Sequence, residues 1–282
     1  MAEPLPTAYL NGEFLPVETA RISPLDRGFL FGDAIYEVIP VYAGRPLLLD
    51  AHLARLGNSL RALSIVDPLQ EAGWRRLVTD LIERNGSGDM GVYLQVTRGA
   101  DRGRDHAFPA TSIAPTIFAM ASSAPAPRTD GLRAITLPDT RWGRCDIKAT
   151  ALLANVLSRQ AATEAGADEA ILTWQGEVTE GSSSSVILIE DQKLIRRPNS
   201  EAILPGTTTD LVVALAREAG LPCREETIAV ERLHKADEVW LASAMRGVSA
   251  VVNIDGKNIS DGLPGSAWRE VARRFEDYKY AD

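Results

Sequence analysis

Residues 121–131 read Ala-Ser-Ser-Ala-Pro-Ala-Pro-Arg-Thr-Asp-Gly. The stretch is small, polar and proline-rich. Proline gives no N–H to a helix or a central strand, so the run reads as a connection. It parts the 282 residues into two segments, each long enough to bury its own core. The expected organisation is a smaller N-terminal domain over 1–120, a linker over 121–131 and a larger C-terminal domain over 132–282.

The two segments carry different patterns. Before the break, Tyr9-Leu-Asn-Gly-Glu-Phe-Leu predicts a hairpin, because Asn11-Gly12 suits a two-residue type I′ turn. Residues 29–49 are mostly strand-like, with a turn at 43–45. Leu53, Leu56, Leu60 and Leu63 then fall at helical spacing behind Asp50 as N-cap. A second helix is expected over 68–85, and buried strands over 91–97 and 116–120. After the break, strands are predicted over 132–137, 169–174, 186–190, 238–242 and 248–254. Helices are predicted over 149–166, over 208–219 with Gly220 at its end, and over 265–278. The class is α+β.

Apolar residues make up 45% and charged residues 24% of the chain, a globular balance. The net charge of −8 argues against a nucleic-acid or anionic-membrane surface. The N-terminus lacks the pattern of a secretory signal, and no apolar run is long enough to span a bilayer. Cys145 and Cys223 are the only cysteines and make no metal or disulfide spacing. These features predict a cytoplasmic protein with no metal site.

Among the 30 lysines and arginines only five are lysines, and the first is Lys148. Every lysine-or-arginine position before it holds arginine. Arginine keeps its proton, whereas lysine can lose it and attack a carbonyl as a neutral amine. Burial and neighbouring cations favour that neutral form in lysines generally. In Arg141-Trp-Gly-Arg-Cys-Asp-Ile-Lys148 the lysine is therefore a candidate nucleophile, although most lysines are surface groups.

Two further stretches fit with it. In Glu180-Gly-Ser-Ser-Ser-Ser185 a single carboxylate precedes a run of hydroxyls and amides that can face a phosphate. In Gly206-Thr-Thr-Thr-Asp210 a helix opens, and its unpaired N–H groups and partial positive charge favour an anion. Read alone, the first is more often an ordinary flexible loop, and the second is as readily an ordinary cap. Arg55 can grip phosphate bidentately or lie on a helix surface. Thr97-Arg-Gly-Ala-Asp-Arg-Gly-Arg104-Asp-His106 is either a carboxylate-catching loop or a solvated one. A reactive amine, a lone carboxylate and two anion cradles are the parts of a pyridoxal phosphate site.

Together these residues resemble the D-amino acid aminotransferases, a branch of the fold-type IV pyridoxal phosphate enzymes. The similarity includes Asp26-Arg-Gly-Phe-Leu-Phe-Gly-Asp-Ala-Ile-Tyr36, Tyr93-Leu-Gln-Val-Thr-Arg-Gly99, Arg141 to Lys148 and Thr179-Glu-Gly-Ser-Ser-Ser184, and it runs over nearly the whole chain. It implies a two-domain fold with the cofactor in a cleft between domains. It implies pyridoxal 5′-phosphate as cofactor, passing to pyridoxamine 5′-phosphate during turnover. Lys148 would hold the cofactor covalently and act as acid and base. Glu180 would bond the pyridine nitrogen. Arg55, Thr207 and Thr208 would hold the phosphate, with Ser183, Ser184 and Ala244 nearby and Leu204 packed on the ring. Tyr36, Arg104 and His106 would form a trap for the substrate carboxylate, the last two reaching across a homodimer. Substrates would be a D-amino acid such as D-alanine and a 2-oxo acid such as 2-oxoglutarate, in ping-pong order.

Some positions depart from the resemblance. The loop before Arg104 is one residue longer, Ser185 replaces a frequent asparagine, Ser243-Ala244-Met245 lacks a threonine, and Pro40 lies in a strand. Within the same fold the alternatives are a branched-chain L-amino acid aminotransferase, an (R)-amine transaminase and an aminodeoxychorismate lyase. Outside it, the alternative is a non-catalytic protein that binds small anions.

Overall fold

The computed structural model describes residues 3–126 and 128–280. The chain divides into two units. The first is Met1–Pro125 together with Ile147–Ala151; the second is Ala126–Asp146 together with Leu152–Asp282.

The first unit holds β1 (Pro4–Leu10), β2 (Glu13–Pro16), α1 (Arg27–Phe31), β3 (Ala34–Tyr42), β4 (Arg45–Pro46), α2 (Leu49–Ala62), α3 (Gln70–Arg84), β5 (Met90–Thr97) and β6 (Thr116–Ser123). Its six strands form one sheet in the order β2-β1-β6-β5-β3-β4. Asn11 and Gly12 both take positive φ, and Leu10 pairs with Glu13, so the predicted hairpin forms. The leucine stripe of α2 meets Trp74, Leu77, Val78 and Leu81 of α3 and the sheet residues Ile35, Ile39, Val92 and Leu94.

Two expectations in this unit give way. Residues 29–31, expected as strand, belong to the helical turn Arg27–Phe31. The Asp26 carboxylate caps it by accepting the Gly28 N–H at 2.8 Å, and Gly32, at φ 68°, ends it. Asp26 is fully buried and also accepts from the Thr97 and Thr116 hydroxyls. Asp50 lies in the first turn of α2 instead of capping it; the cap is Leu48.

The second unit holds β7 (Leu132–Pro138), α4 (Leu153–Glu164), β8 (Glu169–Trp174), β9 (Glu177–Gly181), β10 (Ser185–Glu190), β11 (Lys193–Arg196), α5 (Thr207–Glu218), β12 (Cys223–Glu225), β13 (Ile228–Ala229), β14 (Glu238–Ser243), β15 (Gly247–Ile254), β16 (Lys257–Asn258) and α6 (Ser266–Lys279). Ten strands form a sheet in the order β12-β11-β10-β14-β15-β7-β8-β9-β13, with β16 on β15. The fold is α+β. Strands β9, β11, β12, β13 and β16 have no expected counterpart; β12, β13 and β16 are very short, and β12 and β13 pair with strands well before them in the chain.

The helix expected from residue 149 starts only at Leu153. The reason is backbone pairing. Residues 147–151 run beside β3, where the Tyr36 N–H donates to the Lys148 carbonyl at 2.9 Å and the Thr150 N–H to the Ala34 carbonyl at 3.0 Å. Ile35 and Ala149 form a bridge. Carbonyls and amides spent on a neighbouring strand are not available to a helix.

Candidate active site

Lys148 is held by its backbone in the first unit. Its N–H donates to the Ser59 hydroxyl at 3.2 Å, and its carbonyl receives Tyr36. Its Nζ stands 4.2 Å from the centre of the Tyr36 ring. The terminal nitrogen thus meets an aromatic face rather than a carboxylate. Tyr36 in turn stacks on Tyr93, ring centres 5.7 Å apart. Burial, with the nearby Tyr36, pushes the Tyr93 hydroxyl up to about 12. The structure therefore brings two predicted residues, Lys148 and Tyr36, side by side.

Arg55 has a partner that the sequence analysis missed. Its Nε donates to Oε1 of Glu37 at 2.7 Å and its Nη2 to Oε2 at 2.9 Å. His52 Nδ1 lies 2.8 Å from Oε2 of the same carboxylate. Glu37 has no exposed surface. Burial raises its proton affinity, but the charge and hydrogen bonds of Arg55, with help from His52, outweigh it and hold Glu37 at about 2. Burial holds His52 below its ordinary value against the pull of Glu37, with Arg55 and Lys148 pushing the same way as burial. Glu37 so fixes the direction of the Arg55 guanidinium and offsets part of its charge. The available signal was the period-two pattern of β3, which turns Glu37 the same way as Ile35 and Ile39, and the i,i+3 spacing of His52 and Arg55 on α2.

Arg104 and His106 lie in the exposed segment after β5. Arg104 forms no ion pair among the described residues; its guanidinium sits 5.1 Å from the centre of Phe31. The His106 ring tilts against the same phenyl at 5.2 Å.

In the second unit Glu180 sits on β9, 6% exposed. Its Oε1 accepts from Arg141 Nη1, and its Oε2 accepts the Leu204 N–H at 3.2 Å. Arg141 is also paired with Asp139 at 2.7 Å. The two carboxylates offset the burial of that guanidinium and raise it above its ordinary value. The paired cation keeps negative charge on Glu180 in a buried position, as a pyridinium partner requires. Leu204 follows an irregular loop, and its amide is tied to the same carboxylate.

The serine run is backed by a buried carboxylate. Glu169 has no exposed surface and accepts from the hydroxyls of Ser182, Ser183 and Ser184. Arg246 is 3.5 Å from it. With their protons given to Glu169, Ser183 and Ser184 present oxygen lone pairs and backbone amides. A carboxylate behind them repels a phosphate, which makes α5 the better anion end of this unit. No side chain caps α5, and Thr207, Thr208 and Thr209 are all buried in its first turn. Glycine at 206 keeps that end open: a Cβ there would stand 2.5 Å from Thr209 Oγ1 and 2.8 Å from Ser185 Oγ. Thr209 Oγ1 is buried without a hydrogen-bond partner. An open, uncapped helix start with an unsatisfied hydroxyl fits a phosphate group, and a buried carboxylate on the neighbouring strand fits a pyridine nitrogen. Ala244 lies in the turn after β14 and adds no hydroxyl. Among the described residues no group of three metal-ligating side chains gathers.

Comparison with known proteins agrees with this chemistry. The family model for amino-transferase class IV matches residues 34–254. The D-alanine aminotransferase of Staphylococcus haemolyticus is 37% identical over 273 residues, covering 96% of each chain. That of Bacillus licheniformis is 38% identical over 270 residues, covering 95% of each. A hypothetical aminotransferase from Mycobacterium tuberculosis superposes with TM-score 0.84 at 27% identity, over 97% of this chain and 98% of that one. The branched-chain amino acid aminotransferase of Thermoproteus uzoniensis with norvaline superposes with TM-score 0.87 over 99% of this chain and 95% of its own, a likeness of fold at 21% identity. The match over most of the length, at the identities of the D-alanine enzymes, places the chain in the class IV aminotransferases.

Proposed function

We propose that this aminotransferase moves the amino group of a D-amino acid, such as D-alanine, to a 2-oxo acid, such as 2-oxoglutarate, with pyridoxal 5′-phosphate as its cofactor. The observation that carries the reading is Lys148: an amine anchored by its backbone and facing an aromatic ring instead of a carboxylate. The similarity to D-alanine aminotransferases supports the choice of substrate.

In this reading Lys148 would hold the cofactor, and its ε-nitrogen would take the proton from Cα of the amino donor and, in the second half of the cycle, deliver one to Cα of the amino acid made from the 2-oxo acid. The cofactor, when bound, supplies a ring that takes up the electron pair left at Cα. Glu180, held by Arg141, keeps the ring nitrogen protonated. The amides of Thr207 and Thr208 and the guanidinium of Arg55 bind the phosphate, Leu204 packs on the ring, and Ser183, Ser184 and Ala244 line it. Tyr36, Arg104 and His106 bind the substrate carboxylate, the last two from the second subunit of a homodimer. Handedness follows from that fixed anchor: a base on one face takes a proton only from the enantiomer whose Cα–H points to it. The partners are then small molecules, and two free thiols suit a cytoplasmic setting.

A panel of D- and L-amino donors with pyruvate and 2-oxoglutarate tests the reading on purified protein. Turnover of D-alanine with 2-oxoglutarate, and a visible band bleached by borohydride in wild type but absent in Lys148→Ala, are the expected results. Turnover confined to L-leucine would replace the reading with a branched-chain one. Pyruvate released without an acceptor would indicate a lyase.

A further inference from the structure

The segment that carries Arg104 and His106 has no regular secondary structure and is exposed over most of its length. Something else must fix it, and two side chains of the neighbouring helical turn do so. Arg27 is 3% exposed. Its Nη1 donates to the carbonyls of Asp105 at 2.7 Å and Ala107 at 3.1 Å, and its Nη2 to the carbonyl of His106 at 3.2 Å. Three consecutive carbonyls, beginning directly after Arg104, are thus gathered on one guanidinium. Its Nε is held by Asp33 at 2.9 Å, and Asp33 also takes the Arg98 Nε at 2.7 Å. Arg98 anchors the start of the same segment by donating to the carbonyls of Leu63 and Ser64.

Phe31 completes the arrangement. Arg27 stands 4.9 Å from its ring centre, Arg104 5.1 Å and the His106 ring 5.2 Å. One phenyl therefore contacts the buried anchor and the side chains of both Arg104 and His106. Arg27 fixes the backbone between and after those side chains; Phe31 fixes the side chains themselves.

We propose that Phe31 and Arg27 are positioning residues that orient Arg104 and His106 and so set the preference between mirror-image amino donors. The proposal rests on the carboxylate-trap reading above. A trap that chooses an enantiomer must hold the carboxylate at a fixed place, and long side chains on an irregular segment do not hold a place unaided. An aromatic platform confines the guanidinium while leaving its N–H groups for an incoming carboxylate.

The test uses the pyridoxal phosphate-loaded enzyme and the variants F31L, F31Y and R27K. Loss of the platform in F31L should raise KM for D-alanine by about three- to tenfold, the range of a cation–π contact partly withdrawn from water. kcat should fall much less, and the ratio of D- to L-alanine turnover should fall with the rise in KM. F31Y keeps a ring and should restore both values. R27K keeps the charge but loses the fork to three carbonyls, and should shift KM in the same direction as F31L. The visible band and the thermal midpoint report folding and loading separately. An unchanged KM and D/L ratio in F31L would overturn the proposal. So would an F31Y as impaired as F31L, since that marks general damage. A wild-type enzyme inert toward D-donors would sink the trap reading itself; an active wild type with an indifferent F31L sinks only this inference.

Discussion

Glu37 and Arg55 face each other through two parallel hydrogen bonds, 2.7 and 2.9 Å long, with the carboxylate wholly buried. A forked pair of this kind is directional as well as strong. It joins the middle of β3 to the second turn of α2, so it fixes the helix on the sheet as well as the arginine.

Removing one member of the pair leaves the other charge buried without its forked partner. Glu37→Gln should therefore lower stability by ~3–5 kcal/mol in chemical denaturation. The double replacement Glu37→Leu/Arg55→Met should lose much less, because no charge remains buried. Equal losses in the two proteins would mean that the pair is solvated and unimportant.

The same cluster predicts acid sensitivity with a defined sign. Folded His52 binds its proton less readily than the unfolded residue, whose ordinary value is 6.5. Its contribution is complete above that pH and declines as pH falls through it, because the unfolded state takes up the proton first. Glu37 adds a second decline, between its ordinary value of 4.5 and about 2. The thermal midpoint should be level above the first window and fall below it, and His52→Asn should flatten the first decline. A wild-type midpoint with no slope between neutral pH and 4.5 would contradict the assignment.

Gly206→Ala should weaken pyridoxal phosphate binding. The added methyl would press on Thr209 and Ser185 at 2.5 and 2.8 Å and narrow the start of α5. Overpacking of this kind costs ~1–3 kcal/mol, roughly a five- to 150-fold loss of affinity if it falls wholly on the bound state. Fluorescence titration of the apoenzyme measures it. Affinity equal to wild type would remove α5 as the phosphate end.

Cys145 should be a poor nucleophile although it precedes Lys148 by only three positions. Burial, aided by the carboxylates of Glu180 and Asp139 and opposed by Arg141, pushes its thiol up to about 11. The thiolate is the reactive form, so iodoacetamide at pH ~8 should modify it far more slowly than a free thiol. Mass spectrometry of the intact and digested protein follows the reaction. Modification of Cys145 at the rate of an unfolded control would show the thiol to be accessible and ionised.

Part of the candidate site was legible in the sequence. Lys148 stood out because it breaks an arginine habit, and Gly206-Thr-Thr-Thr-Asp210 because capping chemistry is local. The partners were not legible. Glu37 is one of many glutamates, and only pairing of β3 with its neighbours brings it against α2. Glu169 reads as the first residue of an ordinary strand, yet it takes the hydroxyl protons of a serine run more than a dozen positions away. Phe31 reads as strand; as parts of one capped helical turn, Arg27 and Phe31 reach residues far along the chain, at 104–107.

By itself the sequence determined what depends on neighbours within a few residues: the Asn11-Gly12 turn, the leucine-striped α2, the end of α5 near Gly220 and the choice of lysine at 148. Tertiary structure alone decided which charges are neutralised, which hydroxyls still have protons to offer, and that residues 147–151 pair with β3 instead of beginning a helix. The physical reason is range. Turn and cap energies act within a few bonds of the residues that encode them. Burial and ion pairing depend on segments brought together only when the strands have taken their order in the sheet.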